Sequence, residues 1–286
     1  MKVKGFFAVI AIAIVGSWLG LFIAVPNVLV LITSFLENDP QGFFHLQFST
    51  AAYHQVFDPL FWRVFLHSFE MSFKAMIICL TIAFPFSYWL CQFSSKVRGW
   101  LLFLTIVPFW TNSLVRAYAI KFILGKKGLV NSTLLFIGVI DKPLKLLYSE
   151  FAVIFGLVYV LLPFMILPLY ASLEKLDKNL LSAARDLGAN GLQRMWYIVI
   201  PLSMPGILAG CLAVFLPAMG MFYISDLLGG AKNLLLGNLI KTEFLSTQNW
   251  PYGAAMSISL IVLMAGMLFI YYKAAQHVQK RGEFDV

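Results

Sequence analysis

Long apolar runs separated by short polar ones organise this chain. Six stretches, approximately 9–35, 68–93, 100–119, 151–173, 203–226 and 253–272, are each apolar over about 20 residues or more, enough to cross a hydrocarbon core about 30 Å thick. Each is predicted as a membrane-spanning helix. The expected fold class is therefore an all-α polytopic membrane protein with about six transmembrane helices in one domain covering 1–286. The first run follows Lys2 and Lys4 but continues to Phe35, far beyond a cleavable apolar segment, so it is predicted as a retained helix.

Between the fourth and fifth runs the pattern changes. Residues 174–202 form a polar island in which Leu180, Ala183, Ala184 and Leu187 recur at three- and four-residue spacing, a narrow apolar stripe on a helix. Asp177 stands where an N-cap carboxylate accepts an orphan N–H, and Gly188 where a helix end takes positive φ. Asn190 is placed to cap a second short helix with Leu192, Met195, Trp196 and Val199 on one face, ended by Pro201, after which Pro205 and Gly206 lead into the fifth span. One reading is a helix pair lying along the lipid headgroups with Trp196 as its anchor. The other is a docking surface, because the small Ala183 and Ala184 let a partner approach the backbone closely.

Composition agrees with the span pattern. Hydrophobic residues make up 60% and charged residues 12% of the chain, against about a quarter charged in soluble domains. The net charge of +8 is spread over loops on both sides of the spans and does not indicate nucleic acid. Cys79, Cys91 and Cys211 all fall in predicted spans, as small buried hydrophobes rather than a disulfide or zinc set, and the four histidines are dispersed. No metal site and no cofactor are expected in this chain. With both termini placed in the cytoplasm, eleven Lys and Arg lie inside and ten outside, so the positive-inside rule is weakly obeyed, chiefly because 120–150 carries five lysines. That assignment puts the 174–202 island in the cytoplasm. Eight of the thirteen acidic residues then fall on the outer side or at outer helix ends.

Two further features suit a translocation path. Residues 129–140 are apolar but too short to span, as in an interfacial or re-entrant helix. Prolines at 26, 85, 108, 163, 168 and 217 sit within spans, where freed carbonyls must find partners on neighbouring helices or in a wet cavity.

The island resembles the EAA loop of binding-protein-dependent ABC importer permeases, whose pattern is Glu-Ala-Ala, three residues, Gly, nine residues, then Ile-x-Leu-Pro. Here the corresponding residues are Ser182-Ala183-Ala184, Gly188 and Ile198-Val199-Ile200-Pro201. Ser182 replaces the glutamate and Ile200 the leucine. The resemblance implies a type I importer permease (MetI-like) fold and a coupling role for Ser182, Ala183, Ala184, Asp186, Gly188 and Pro201 toward a separate ATPase. A second set of segments, Pro108-Phe-Trp-Thr-Asn-Ser-Leu-Val-Arg116, Leu161-Leu-Pro-Phe-Met165, Ser225-Asp-Leu-Leu-Gly-Gly-Ala-Lys-Asn233 and Asn249-Trp-Pro251, is similar to the polyamine permeases of that family. The putrescine-specific type usually carries Pro-Glu where this chain has Ser225-Asp226, which favours a spermidine-preferring type. The implied partners are a homologous second permease, two copies of a cytoplasmic ATPase, a periplasmic polyamine-binding protein and the polyamine itself. Independently of the resemblance, the chain has no Gly-x-x-x-x-Gly-Lys-Ser/Thr loop, so it is not the ATPase.

A polyamine is a chain of ammonium groups, and its path needs carboxylates, carbonyls or aromatic faces. Glu70, Trp110, Tyr118, Tyr223 and Asp226 are the candidate path residues. Against this, Glu70 and Lys74 at i,i+4 can simply neutralise one another, Asp226 can be a helix-terminal carboxylate, and the rings can be packing. Arg116 repels a polycation and is assigned to a carboxylate or to the binding protein, while Glu243 and Trp250 are candidates for binding-protein docking. The alternatives are the same permease family with an amino acid or sugar as cargo, or an ion-coupled secondary transporter. The latter predicts inverted repeats and paired mid-span charges, and no internal repeat is visible. A membrane-embedded enzyme would need a His/Asp/Glu cluster or a Ser/His pairing, and the sequence suggests neither.

Overall fold

Apolar runs in lipid must satisfy their own backbone groups, and in this chain they do so as helices. The computed structural model describes residues 6–39, 42–230 and 233–283. Lys2 and Lys4, on which the N-terminal side assignment partly rests, lie outside the described residues, as do Ala231 and Lys232 of the 225–233 segment.

The chain divides into two compact units, residues 1–63 with 239–265, and 64–238 with 266–286. In the first, helix α1 (Phe6–Leu19) runs through a widened turn, Gly20–Ala24, into α2 (Val25–Thr33). The widened turn has a local cause. Pro26 brings no N–H and its ring crowds the carbonyl four residues back, so the ladder shifts register and Val25 N–H bonds Gly20 O instead. A two-stranded antiparallel ribbon, β1 (Leu36–Glu37) and β2 (His45–Phe48), follows. Then come α3 (Ala51–Val56) and the start of α4 (Pro59–Leu90). Phe35 stacks on Phe48 at 5.7 Å and meets Tyr53 at 4.9 Å, while the Tyr53 hydroxyl and Ser34 Oγ share a 2.9 Å hydrogen bond.

The second unit is built around α8 (Glu150–Leu173), which buries Ala152, Val153, Leu157, Leu161, Met165 and Leu169. From α4 it receives Met71, Ala75, Cys79 and Ala83, four-residue spacing that lays one large and three small side chains along one seam. Its closest neighbour is α11 (Ile200–Gly220). The helices approach closely because Gly206 has no side chain. A Cβ there would meet Ser172 Cβ and come within 2.7 Å of Pro168 O.

Three expected spans differ in outline. The second begins earlier, at Pro59, so Glu70 lies about 16 Å into the helix rather than near its start. The third, expected as one helix over 100–119, is broken. Helix α5 (Ser95–Ile106) tightens into the turn Val107–Trp110, and α6 (Ser113–Leu124) with α7 (Leu129–Phe136) sets off at 90°. Pro108 withholds an N–H on one side of the break. On the other, Asn112 starts a new helix by accepting Leu114 N–H at 2.8 Å. The fifth, expected over 203–226, ends at Gly220. Helix α12 (Phe222–Ile224) and a wide turn, Ser225–Gly229, then lead to α13 (Leu236–Leu245) and α14 (Trp250–Glu283).

Candidate functional site: coupling loop and path residues

The island folds as two helices with every predicted cap in place. Asp177 Oδ1 accepts Asn179 N–H at 2.9 Å and opens α9 (Lys178–Asp186). The helix ends on Gly188 at φ 84°, where Gly188 N–H bonds Arg185 O and Ala189 N–H bonds Ala184 O, both at 2.9 Å. Asn190 and Gln193 then form a reciprocal capping box, two bonds of 2.8 Å, at the head of α10 (Gly191–Arg194).

The second helix is not ended by Pro201. Helix α10 passes through a widened turn, Met195–Val199, directly into α11, giving one 30-residue helix, Gly191–Gly220. Pro201 sits in the first turn of α11, and Ile200 N–H bonds Met195 O five residues back, the same register shift that precedes Pro26. The loop and the fifth span are thus mechanically continuous. Of the expected face Leu192, Met195, Trp196 and Val199, only Val199 is buried.

Among the described residues little covers the apolar stripe of α9, of which only Ala184 is half-buried. Leu187 is 89% exposed, Leu192 73% and Tyr197 80%, with Leu180, Ala183 and Asp186 also exposed. Ser182 belongs to a different surrounding. With Leu181 it lines a cavity of about 340 Å³ whose wall includes Tyr88, Arg98 and Glu174. Arg98 Nη2 pairs with Glu174 Oε1 at 2.9 Å there. At the position where the family motif has a glutamate, this chain has a serine on the wall of the same cavity as its own Arg98–Glu174 pair.

The candidate path residues fall into separate surroundings. Lys74 Nζ sits between Glu70 Oε1 at 2.7 Å and Glu150 Oε1 at 2.5 Å. Glu150 was not singled out from sequence, since it meets Lys74 only because α8 packs on α4. Asp226 lies in the wide turn after α12 and accepts from Asn238 Nδ2 at 2.5 Å. Asn238 also donates to Phe222 O at 3.0 Å and accepts Leu235 N–H at 2.9 Å, so one buried amide ties three segments together. Sequence reasoning missed it too; a polar residue after Gly237 in a loop was the only signal. Leu236 N–H bonds Ser68 Oγ at 2.7 Å, anchoring the same segment to α4.

Trp110 ends the tight turn, 74% exposed and edge-on to Phe103 at 5.7 Å, and Tyr118 is exposed on α6. Tyr223 is half-buried against Phe222. Glu243 accepts from Thr247 Oγ1 at 2.6 Å. Trp250 is packed between Phe43 at 4.6 Å and Phe244 at 5.9 Å, with its indole Nε1 buried.

The sequence profile of the binding-protein-dependent transport system inner membrane component matches residues 83–281. The chain belongs to that family. This permease is 53% identical to the spermidine/putrescine transport system permease protein PotB of Escherichia coli, over 96% of this chain and 99% of the relative. To the protein of the same name from Haemophilus influenzae it is 52% identical over 98% of each. Among solved structures, a bacterial ABC transporter that imports the acidic polysaccharide alginate superposes with a TM-score of 0.76. That match covers 95% of this chain and 94% of the other at 15% identity, which establishes the ABC importer permease fold and nothing about cargo. The permease is an inner-membrane transport component that works with other subunits.

Proposed function

We propose that this permease is one half of the membrane path of an ATP-driven importer for spermidine and putrescine. The observation that carries the reading is 53% identity, over nearly the whole of both chains, to a permease of that transport system. The other parts are a homologous second permease, two copies of a cytoplasmic ATPase and a periplasmic polyamine-binding protein, with both termini of this chain in the cytoplasm. Residues 174–202 serve as the coupling loop. ATP-driven closure of the motor pushes on α9, and the unbroken helix Gly191–Gly220 carries that displacement into the membrane. The transporter then passes between two global states biased from opposite sides by nucleotide and by loaded binding protein.

Exposed rings at Trp110 and Tyr118 offer π faces to passing ammonium groups, and the carboxylates of Glu70 and Asp226 offer charge. Tyr223 contributes beside Asp226, while Glu243 and Trp250 form part of the binding-protein docking region. The test is uptake of labelled spermidine into vesicles with all four components, then with this chain omitted. Uptake that requires this chain, ATP and the binding protein supports the reading. A complex that assembles and hydrolyses ATP but moves no polyamine removes the cargo and keeps the architecture.

A further inference from the structure

Arg116 is 91% buried by its neighbours, 9% exposed, and its Nε and Nη1 have no hydrogen-bond partner. Its guanidinium lies over the Phe109 ring at 4.6 Å, and it lines a cavity of about 280 Å³ walled by Ile82, Phe86 and Ile166. Two other polar side chains reach this wall. Thr105 Oγ1 is already spent on Leu101 O at 2.8 Å, and Tyr159 is 44% exposed. An aromatic face offsets part of the cost of a buried cation but satisfies none of its N–H groups.

The depth of the cavity decides what completes it. Its α8 wall runs from Tyr159 to Ile166, the middle third of a helix about 36 Å long. Lipid phosphates sit at the bilayer faces, about 15 Å from this level, so the missing anion comes from a side chain on a spanning helix. The described residues of this chain do not supply it. The described spans contain two carboxylates, Glu70 and Glu150, and both are bonded to Lys74. A second copy of the same chain has the same two and no other.

We propose that Arg116 is the interface residue that receives a mid-membrane Asp or Glu from a different permease subunit. The pairing makes association heteromeric, because a homodimer leaves two buried cations unanswered. This inference rests on the reading of the chain as half of a two-permease path.

The test uses the full transporter, purified through a tag on this chain. Arg116→Met is expected to lower recovery of the second permease about a hundredfold, the scale of losing one partner of a buried pair, while Arg116→Lys retains most of it. Each mid-span Asp or Glu of the second permease is then changed to Arg in combination with Arg116→Glu, and one exchange restores recovery. With native cysteines removed, Arg116→Cys forms a disulfide with a cysteine at that same position. Wild-type recovery with Arg116→Met, together with no cross-link, overturns the proposal. So does loss of a tightly bound anionic lipid, seen by native mass spectrometry, with both permeases still associated. If the wild-type complex pairs but imports another solute, the cargo reading fails and the interface stands. If it imports polyamine while Arg116→Met stays assembled, the interface fails alone. A wild-type chain that recovers no second permease removes both.

Discussion

Two interruptions of the apolar pattern, 174–190 and 225–238, are held in opposite ways. In the first, the caps that set the fold are local. Asp177 reaches two residues, Asn190 and Gln193 reach three, and the Gly188 turn closes on residues just behind it. In the second, Asn238 reaches back to Phe222 and Asp226, Tyr148 N–H bonds Leu228 O, and Leu236 N–H reaches Ser68. A locally capped loop keeps its shape without spending its apolar side chains on packing, which leaves Leu187 and Leu192 exposed. A loop latched over long range holds one carboxylate, Asp226, in a set position and leaves less of itself exposed. The first is held by its own caps, the second by distant segments.

The sharpest break of that contrast is Asn238→Leu. It strips partners from Leu235 N–H, Phe222 O and Asp226 together, and is expected to cost about 2–4 kcal/mol. A lowered unfolding midpoint of the detergent-solubilised permease measures it. An unchanged midpoint shows that water replaces the amide and that the latch is not structural.

Next in size is Gly188→Val, which forces a β-branched residue into φ 84° at a cost of about 1–3 kcal/mol. Faster amide exchange confined to the end of α9 is expected, with spans unaffected. Protection lost across α8 and α11 as well would mean the loop is not local.

Asn190→Ala removes one arm of the capping box, for about 1 kcal/mol. It is expected to speed exchange in the first turn of α10 without moving the global midpoint. Because Gly191–Gly220 is one helix, the same change is expected to reduce ATP-coupled uptake more than it reduces stability.

Leu187→Ser has the smallest effect on the permease alone, within about 0.5 kcal/mol, since the side chain is 89% exposed. Recovery of the ATPase with the complex is expected to fall. Undiminished recovery takes Leu187 out of the coupling surface.

The sequence alone determined the features whose physics is short-range. Apolar run length announced helices across the membrane, and the caps at Asp177, Gly188 and Asn190 were legible because each bonds within a few residues of itself. The Glu70–Lys74 pair was legible for the same reason, being one turn apart. Helix breaks were only half legible. Pro108 marked a disturbance, but whether a proline kinks, breaks or is absorbed by a register shift depends on what can accept the freed carbonyl. Pro201 was absorbed where Pro108, beside the cap Asn112, was not. Only the tertiary structure added Glu150 to Lys74 and tied Asp226 to Asn238. Those pairings join residues 12 and 76 positions apart, and no periodicity carries information over that distance. The tertiary structure likewise enclosed Arg116 among α4, α5, α6 and α8 without an anion, because packing decides which charges are buried and the sequence states only that a charge is present.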